Sequence, residues 1–148
     1  MPSVDVKAIE REIKINARPE TVFSFLTDPI KLRRWFVAEA VTDPRPGGAY
    51  RFVFPGGDNF ASGKYVAVEP PTRLVFTWGW EGDDAPTPVG SSTVEIVLKA
   101  DGPRTLLTLT HRALPSDQSR DSHAHGWDKY LQRLSIAATG GDPGPDTM

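Results

Sequence analysis

Few residues in this chain have the types and spacing to do chemistry. Three histidines stand at positions 111, 123 and 125. His111 ends an alternating stretch, on the parity of Leu107 and Leu109. A histidine facing a cavity there could hydrogen-bond a ligand or act as a general base. The commoner fate, and the favoured reading, is an interior histidine satisfied by a carbonyl or an indole. His123 and His125 lie near the start of a helical stretch, where two residues apart means about 200° of rotation, so they cannot share a metal ion. In extended conformation they could, with Asp117 or Asp121 nearby, but no third ligand has recognisable spacing, and no metal site is expected. The chain has no cysteine, so thiolate nucleophiles, disulfides and cysteine metal sites are excluded. No serine sits in a nucleophile elbow and no phosphate-cradling glycine loop opens a helix. One histidine with hydroxyls such as Tyr50, Tyr65 or Thr77 remains open as a dehydratase or cyclase set. Asp83-Asp84 falls in a Pro/Gly loop and reads as solvated surface.

The second chemical resource is aromatic. Trp35, Phe36, Phe52, Phe54, Phe76, Trp78, Trp80 and Trp127 either pack a core or line an apolar pocket with a few polar anchors. The elements that must position them follow from periodicity. Residues 123–139 show helical spacing through Trp127, Leu131, Leu134 and Ala138, with Asp121 or Ser122 as cap and Gly140-Gly141 as stop. Residues 8–15 alternate as a strand, with Arg11 on the apolar parity as a snorkelling or salt-bridged arginine. Pro19 opens a short helix over 20–27, and Asp28-Pro29 caps another over 30–36. Period-two stretches follow at 39–42, 50–54, 59–68, 73–80, 92–100 and 104–112, separated by Pro/Gly/Asp turns. A bulge is expected near Ser62-Gly63. Residues 113–122 read as a polar loop, 1–7 as a flexible start and 140–148 as a disordered tail, leaving one domain over 8–139. Short turns make sequential strands hairpin neighbours, so the sheet should be an antiparallel meander against one long helix.

At 148 residues the chain fits one domain with a sizeable core. Net charge is −2 with both signs interspersed, and Lys31, Arg33 and Arg34 form the only basic cluster, too small for a nucleic-acid partner. No apolar run approaches the ~20 residues of a bilayer span, and no charged-then-apolar leader opens the sequence, so no membrane insertion and a cytoplasmic location are expected.

Six segments, in order, carry a resemblance: RxIxxNAxPETVFSFLTDP at 11–29, RRWF at 33–36, GGAYRF at 47–52, GKYVAVEPPTRLVFTWGW at 63–80, TLLTLTHRAL at 105–114 and GWDKYLQRL at 126–134. Over residues 8–138 the chain resembles single-domain members of the START-like (SRPBCC) superfamily, in the subgroup named after the activator of Hsp90 ATPase. The resemblance implies an α+β helix-grip (START-like, Bet v 1-like) fold, in which a curved antiparallel sheet of about six or seven strands wraps a long C-terminal helix, with a cavity between them. Relatives bind lipids, polyketides or other apolar molecules, some act as cyclases, and others stimulate the chaperone's ATPase. Fold alone does not choose among these. The expectation is a binder of a small apolar molecule without a cofactor. Its cavity would be lined by Trp35, Phe36, Phe52, Phe54, Phe76, Trp78, His111, Trp127, Leu131 and Leu134, with Tyr130 near the rim. An enzyme using His111 as acid/base is the alternative. An Hsp90 partner is disfavoured, because the chain has no room for the separate N-terminal domain of the eukaryotic activator. Dimerisation through a strand edge or the helical crossover stays open.

Overall fold

A computed structural model describes residues 7–146. The elements run β1 (Ile9–Ile15), α1 (Pro19–Thr27), α2 (Pro29–Leu32), β2 (Glu39–Thr42), β3 (Ala49–Val53), β4 (Phe60–Glu69), β5 (Arg73–Trp78), β6 (Ser92–Asp101), β7 (Arg104–Arg112) and α3 (Asp117–Ala138). The seven strands form one antiparallel sheet in the order β1-β7-β6-β5-β4-β3-β2. Strands β2 to β7 are a meander of sequential hairpins, and β1 returns to pair with β7. The two short helices occupy the connection from β1 to β2. The core is one continuous cluster between the sheet's inner face and α1, α2 and α3, with Ile9, Ile15, Val22, Leu107, Leu109 and Leu134 fully buried. Full burial of one such side chain is worth about 2 kcal/mol.

Local signals explain most boundaries. Pro19 takes the first position of α1. Asp28 caps α2 by accepting from the Ile30 and Lys31 amides. That second helix is shorter than the expected 30–36, because the Phe36 and Val37 amides both return to the Leu32 carbonyl and close the turn. The turn aims Trp35 inward, where its indole N–H donates to the Phe25 carbonyl at 2.8 Å. Arg11, on the apolar parity of β1, reaches the edge of α3 and pairs with Asp128 at 2.6 Å.

Three expectations are corrected. The long helix starts at Asp117, not near His123, and Ser116 caps it by accepting from the Ser119 amide at 3.1 Å. The polar residues 117–122 hid two helical turns, because apolar spacing begins only at Ala124 and the cap alone marks the start. The region of Ser62-Gly63 holds no bulge. Gly63 pairs in register with Tyr50, and the shift in β4 lies between Tyr65 and Ala67. Glycine is required at 63 by close approach, since a Cβ there would lie 2.5 Å from the Thr77 carbonyl oxygen. Residues 140–146, read as part of a disordered tail, lie against α3: the Gly141 amide bonds the Ile136 carbonyl, and Tyr130 donates to Asp146 at 2.7 Å. Residues 1–6 of the flexible start and 147–148 of the tail lie outside the described residues. Among the described residues no helix is long and apolar enough to cross a membrane.

Candidate functional site

The centre of the grip is filled. Phe36 is one of its hubs, stacking on Trp35 with ring centroids 4.7 Å apart and meeting Phe52, Phe54, Trp78, Trp127 and Tyr130 within 6.0 Å. Such ring pairs add about 0.5–1.5 kcal/mol each beyond burial. Among Trp35, Phe52, Tyr65, Phe76 and their neighbours the remaining void is about 10 Å³. That is room for one water molecule at most, and Tyr65, which lines it, has a buried hydroxyl with no partner among the described residues. Leu131 and Leu134 are buried in the core and line no void among the described pockets.

Space opens instead at one end of the grip. A pocket of about 460 Å³ lies between the N-terminal half of α3, the end of β5 and the β3–β4 turn. Phe36, Phe54, Trp78, Trp80, Trp127 and Tyr130 form its apolar walls. Helix α3 contributes His123, Gly126, Trp127 and Tyr130, the i, i+3, i+4, i+7 spacing that brings residues onto one helical face. Ser122, His125, Lys129 and Asn59 stand around it, His125 and Asn59 being exposed at the solvent edge. A Cβ added at Gly126 would meet nothing within 4 Å, so the missing side chain is part of the open space. Four of the ten residues expected to line a cavity meet here (Phe36, Phe54, Trp78 and Trp127). Trp35, Phe52 and Phe76 line only the small interior void, and His111 lies behind the wall.

Two histidine networks support that wall. The Trp127 indole donates to His111 Nδ1 at 3.0 Å, and His111 Nε2 is 2.8 Å from Ser92 Oγ. Ser92 gives its own proton to the Trp78 carbonyl at 2.9 Å, so His111 Nε2 carries the hydrogen and donates to the serine. Both ring nitrogens are engaged and the residue is fully buried. His123 Nδ1 donates to the Ser119 carbonyl at 2.7 Å, while its Nε2 accepts from the Trp80 indole at 3.0 Å. The first turn of α3 is also tied to the 81–91 loop, where Thr87 donates to Ser119 Oγ. The tyrosine and threonine hydroxyls weighed for catalysis are likewise occupied at Tyr50, which donates to the Thr77 carbonyl, and at Thr77, which accepts from the Lys64 amide.

Both imidazoles are held neutral. Burial pushes the His111 pKa down from 6.5 to about 3, and neighbouring His123 adds to the shift. Burial also lowers His123, against the opposing Ser119 carbonyl. A depressed folded-state pKa means the unfolded chain binds the proton more readily. The stability from a neutral His111 is therefore complete above about pH 6.5 and is lost as pH falls toward 3. We expect unfolding free energy to fall by about 2 kcal/mol between pH 7 and pH 4.5 in urea titrations. The His111→Gln variant, less stable at pH 7, should show a flatter profile over that interval.

Three of the four tryptophan indoles have acceptors: Trp35 on Phe25, Trp80 on His123 and Trp127 on His111. The fourth, Trp78, has a buried N–H with no partner among the described residues, although its ring is a wall of the pocket. A buried donor left unmade costs about 1–3 kcal/mol. Among the described residues no cluster of three or more His, Asp or Glu could hold a metal ion.

Residues 16–138 match the family described as Activator of Hsp90 ATPase homolog 1-like protein. The chain belongs to this family. An AHSA1-like protein from Rhizobium etli, solved in solution, is 42% identical over 96% of this chain and 88% of its own, with a TM-score of 0.73. CalU16 from Micromonospora echinospora is 34% identical over 90% of this chain and 76% of its own, at a TM-score of 0.71. DynU16, a protein in the dynemicin biosynthetic locus, shares the fold at a TM-score of 0.79 and 23% identity, over 92% of this chain and 48% of its own. No curated protein matches the chain. The helix-grip architecture expected from the six segments is the one these structures share with it.

The sequence reading missed Gly126, His123, His125, Ser122, Lys129 and Asn59 as pocket residues. The signal was available at Gly126. A glycine inside a helical pattern, one step before Trp127 and three after His123, marks a place where backbone faces open space.

Proposed function

We propose that the protein binds a small, flat, apolar molecule bearing a hydrogen-bond acceptor, held in the pocket at the mouth of the grip. One observation carries this reading: a mainly aromatic pocket of about 460 Å³ whose wall includes Trp78, a residue with an unpartnered indole N–H buried beneath that surface. Its volume lies within the usual range for small-molecule sites. Six aromatic rings suit a planar, ring-containing guest, which would stack on the indoles and accept from Trp78. The origin of DynU16 in a biosynthetic locus is consistent with a guest of that kind. Acid–base chemistry at His111 gains no support, because both of its nitrogens are committed to Ser92 and Trp127 behind the pocket wall.

Titration of the intrinsic tryptophan fluorescence with 2-acetylnaphthalene and 2-ethylnaphthalene tests the proposal. Saturable one-to-one binding is expected, with the ketone favoured by about tenfold through the Trp78 hydrogen bond. Quenching that does not saturate with either compound would refute it.

A further inference from the structure

The edge of this pocket carries a built seat for an acidic group, and the chain's own segment 140–146 occupies it. Asp146 is the occupant, its side chain only 5% exposed. The Tyr130 hydroxyl donates to one carboxylate oxygen at 2.7 Å, and the Lys129 ammonium pairs with the other. Burial opposes the charge, yet Lys129 and Tyr130 hold the Asp146 carboxyl below its ordinary range. Further cations gather around it. Arg33, Arg34 and Arg133 line a cleft of about 500 Å³ whose remaining wall is largely the 140–146 segment. Arg133 spends its hydrogen bonds on the carbonyls of Trp35 and Pro143, and neither Arg33 nor Arg34 has a carboxylate partner among the described residues. With Asp142 also in the cleft wall, four cations (Arg33, Arg34, Lys129 and Arg133) stand against two carboxylates, and the region is still net positive.

Seat and pocket share side chains. The ring of Tyr130 is a wall of the aromatic pocket and meets Phe36 edge-on at 5.0 Å, while its hydroxyl holds Asp146. Lys129 lines the same pocket and carries the ion pair. The segment that delivers Asp146, Gly-Gly-Asp-Pro-Gly-Pro-Asp, brings no large apolar side chain to hold it down. Its described attachments beyond Asp146 are the Gly140 and Gly141 amides at the helix end and one bond of 3.3 Å from Arg133 to Pro143.

We propose that the seat held by Asp146 recognises a carboxylate on the pocket's ligand, and that residues 140–146 are an internal surrogate which the ligand displaces. The guest is then an aromatic or polycyclic carboxylic acid, with its rings against Trp78, Trp127 and Phe36 and its carboxylate on Lys129 and Tyr130. A tethered competitor of this kind lowers the apparent affinity for an acidic guest and leaves a neutral guest nearly unaffected. This inference rests on the pocket reading above, so the test must separate the two.

The probes are 2-naphthoate and 2-naphthamide, equal in shape and different in charge, titrated calorimetrically into the full chain, into its Asp146→Ala variant and into the double variant that adds Lys129→Met. With Asp146→Ala, naphthoate should bind about tenfold tighter while naphthamide changes less than about twofold. Adding Lys129→Met to Asp146→Ala should abolish that gain for naphthoate. Circular dichroism confirms that each variant is folded, and Asp146→Asn gives a second route if the alanine variant is not. Equal gains for acid and amide, or none for either, would overturn this inference and leave the pocket reading intact. Failure of both compounds to bind any of the chains would overturn both.

Discussion

Replacing Gly126 by phenylalanine is expected to close the mouth pocket and weaken binding of a naphthalene-sized guest by at least about a hundredfold, the loss of most of its apolar burial. Position 126 faces open space, with no atom within 4 Å of the added Cβ, so the new ring is accommodated by filling the pocket. The fold should not suffer. Glycine in a helix interior is about 0.5 kcal/mol or more poorer than most residues, so the variant should unfold at the same urea concentration or a higher one. Binding and stability then move in opposite directions, which a general structural defect cannot produce. Gly126→Ala supplies the control, with about 1 kcal/mol of added stability and a small change in affinity. Fluorescence titration and urea unfolding on the same samples give both quantities.

Phe36→Ala is expected to cost about 3–5 kcal/mol. Phe36 touches Trp35, Phe52, Phe54, Trp78, Trp127 and Tyr130, joining the turn after α2 to the sheet and to α3. Its removal leaves a cavity among rings that cannot all move inward, because Trp35 and Trp127 are pinned by their indole bonds to Phe25 and His111. Since Phe36 is also a pocket wall, ligand binding should fall with stability, unlike in Gly126→Phe. Phe36→Leu should recover more than half of the stability, because most of the buried volume returns. Urea unfolding of the three proteins at pH 7.5 checks the series.

The strands were legible because most are half-buried and alternate, even though Arg11 in β1 and buried Val75 in β5 interrupt the pattern. The parity of Leu107, Leu109 and His111, and that of Leu74, Phe76 and Trp78, survives intact as the inner face. The pairing of β1 with β7 was not visible in local pattern, since it joins residues about a hundred positions apart, such as Ile9 and His111. The start of α3 was missed because its first two turns are polar, held by Ser116 and by Ser119 on Thr87. Aromatic residues could be assigned to the interior from type and parity, yet type does not say which rings interlock and which leave a gap. Trp35, Phe52 and Phe76 fill the centre, whereas Phe54, Trp78 and Trp127 border space because Gly126 and the Phe54–Asn59 turn keep side chains away from them. Asp146 was unreadable for a different reason. Its seat is assembled by Tyr130 and Lys129, and a Gly/Pro-rich composition gives no hint of a docked position.

The most direct measurement is a two-dimensional ¹H–¹⁵N spectrum of the four indole N–H groups, recorded with and without 2-acetylnaphthalene. The Trp78 signal should move furthest downfield as it gains an acceptor, and the backbone amides of His123 and Gly126 should shift with it. The Trp35 signal, bonded to the Phe25 carbonyl on the far side of Phe36, should stay in place. A saturating guest that leaves Trp78, His123 and Gly126 unmoved while shifting residues elsewhere would contradict the assignment of the mouth pocket as the binding site.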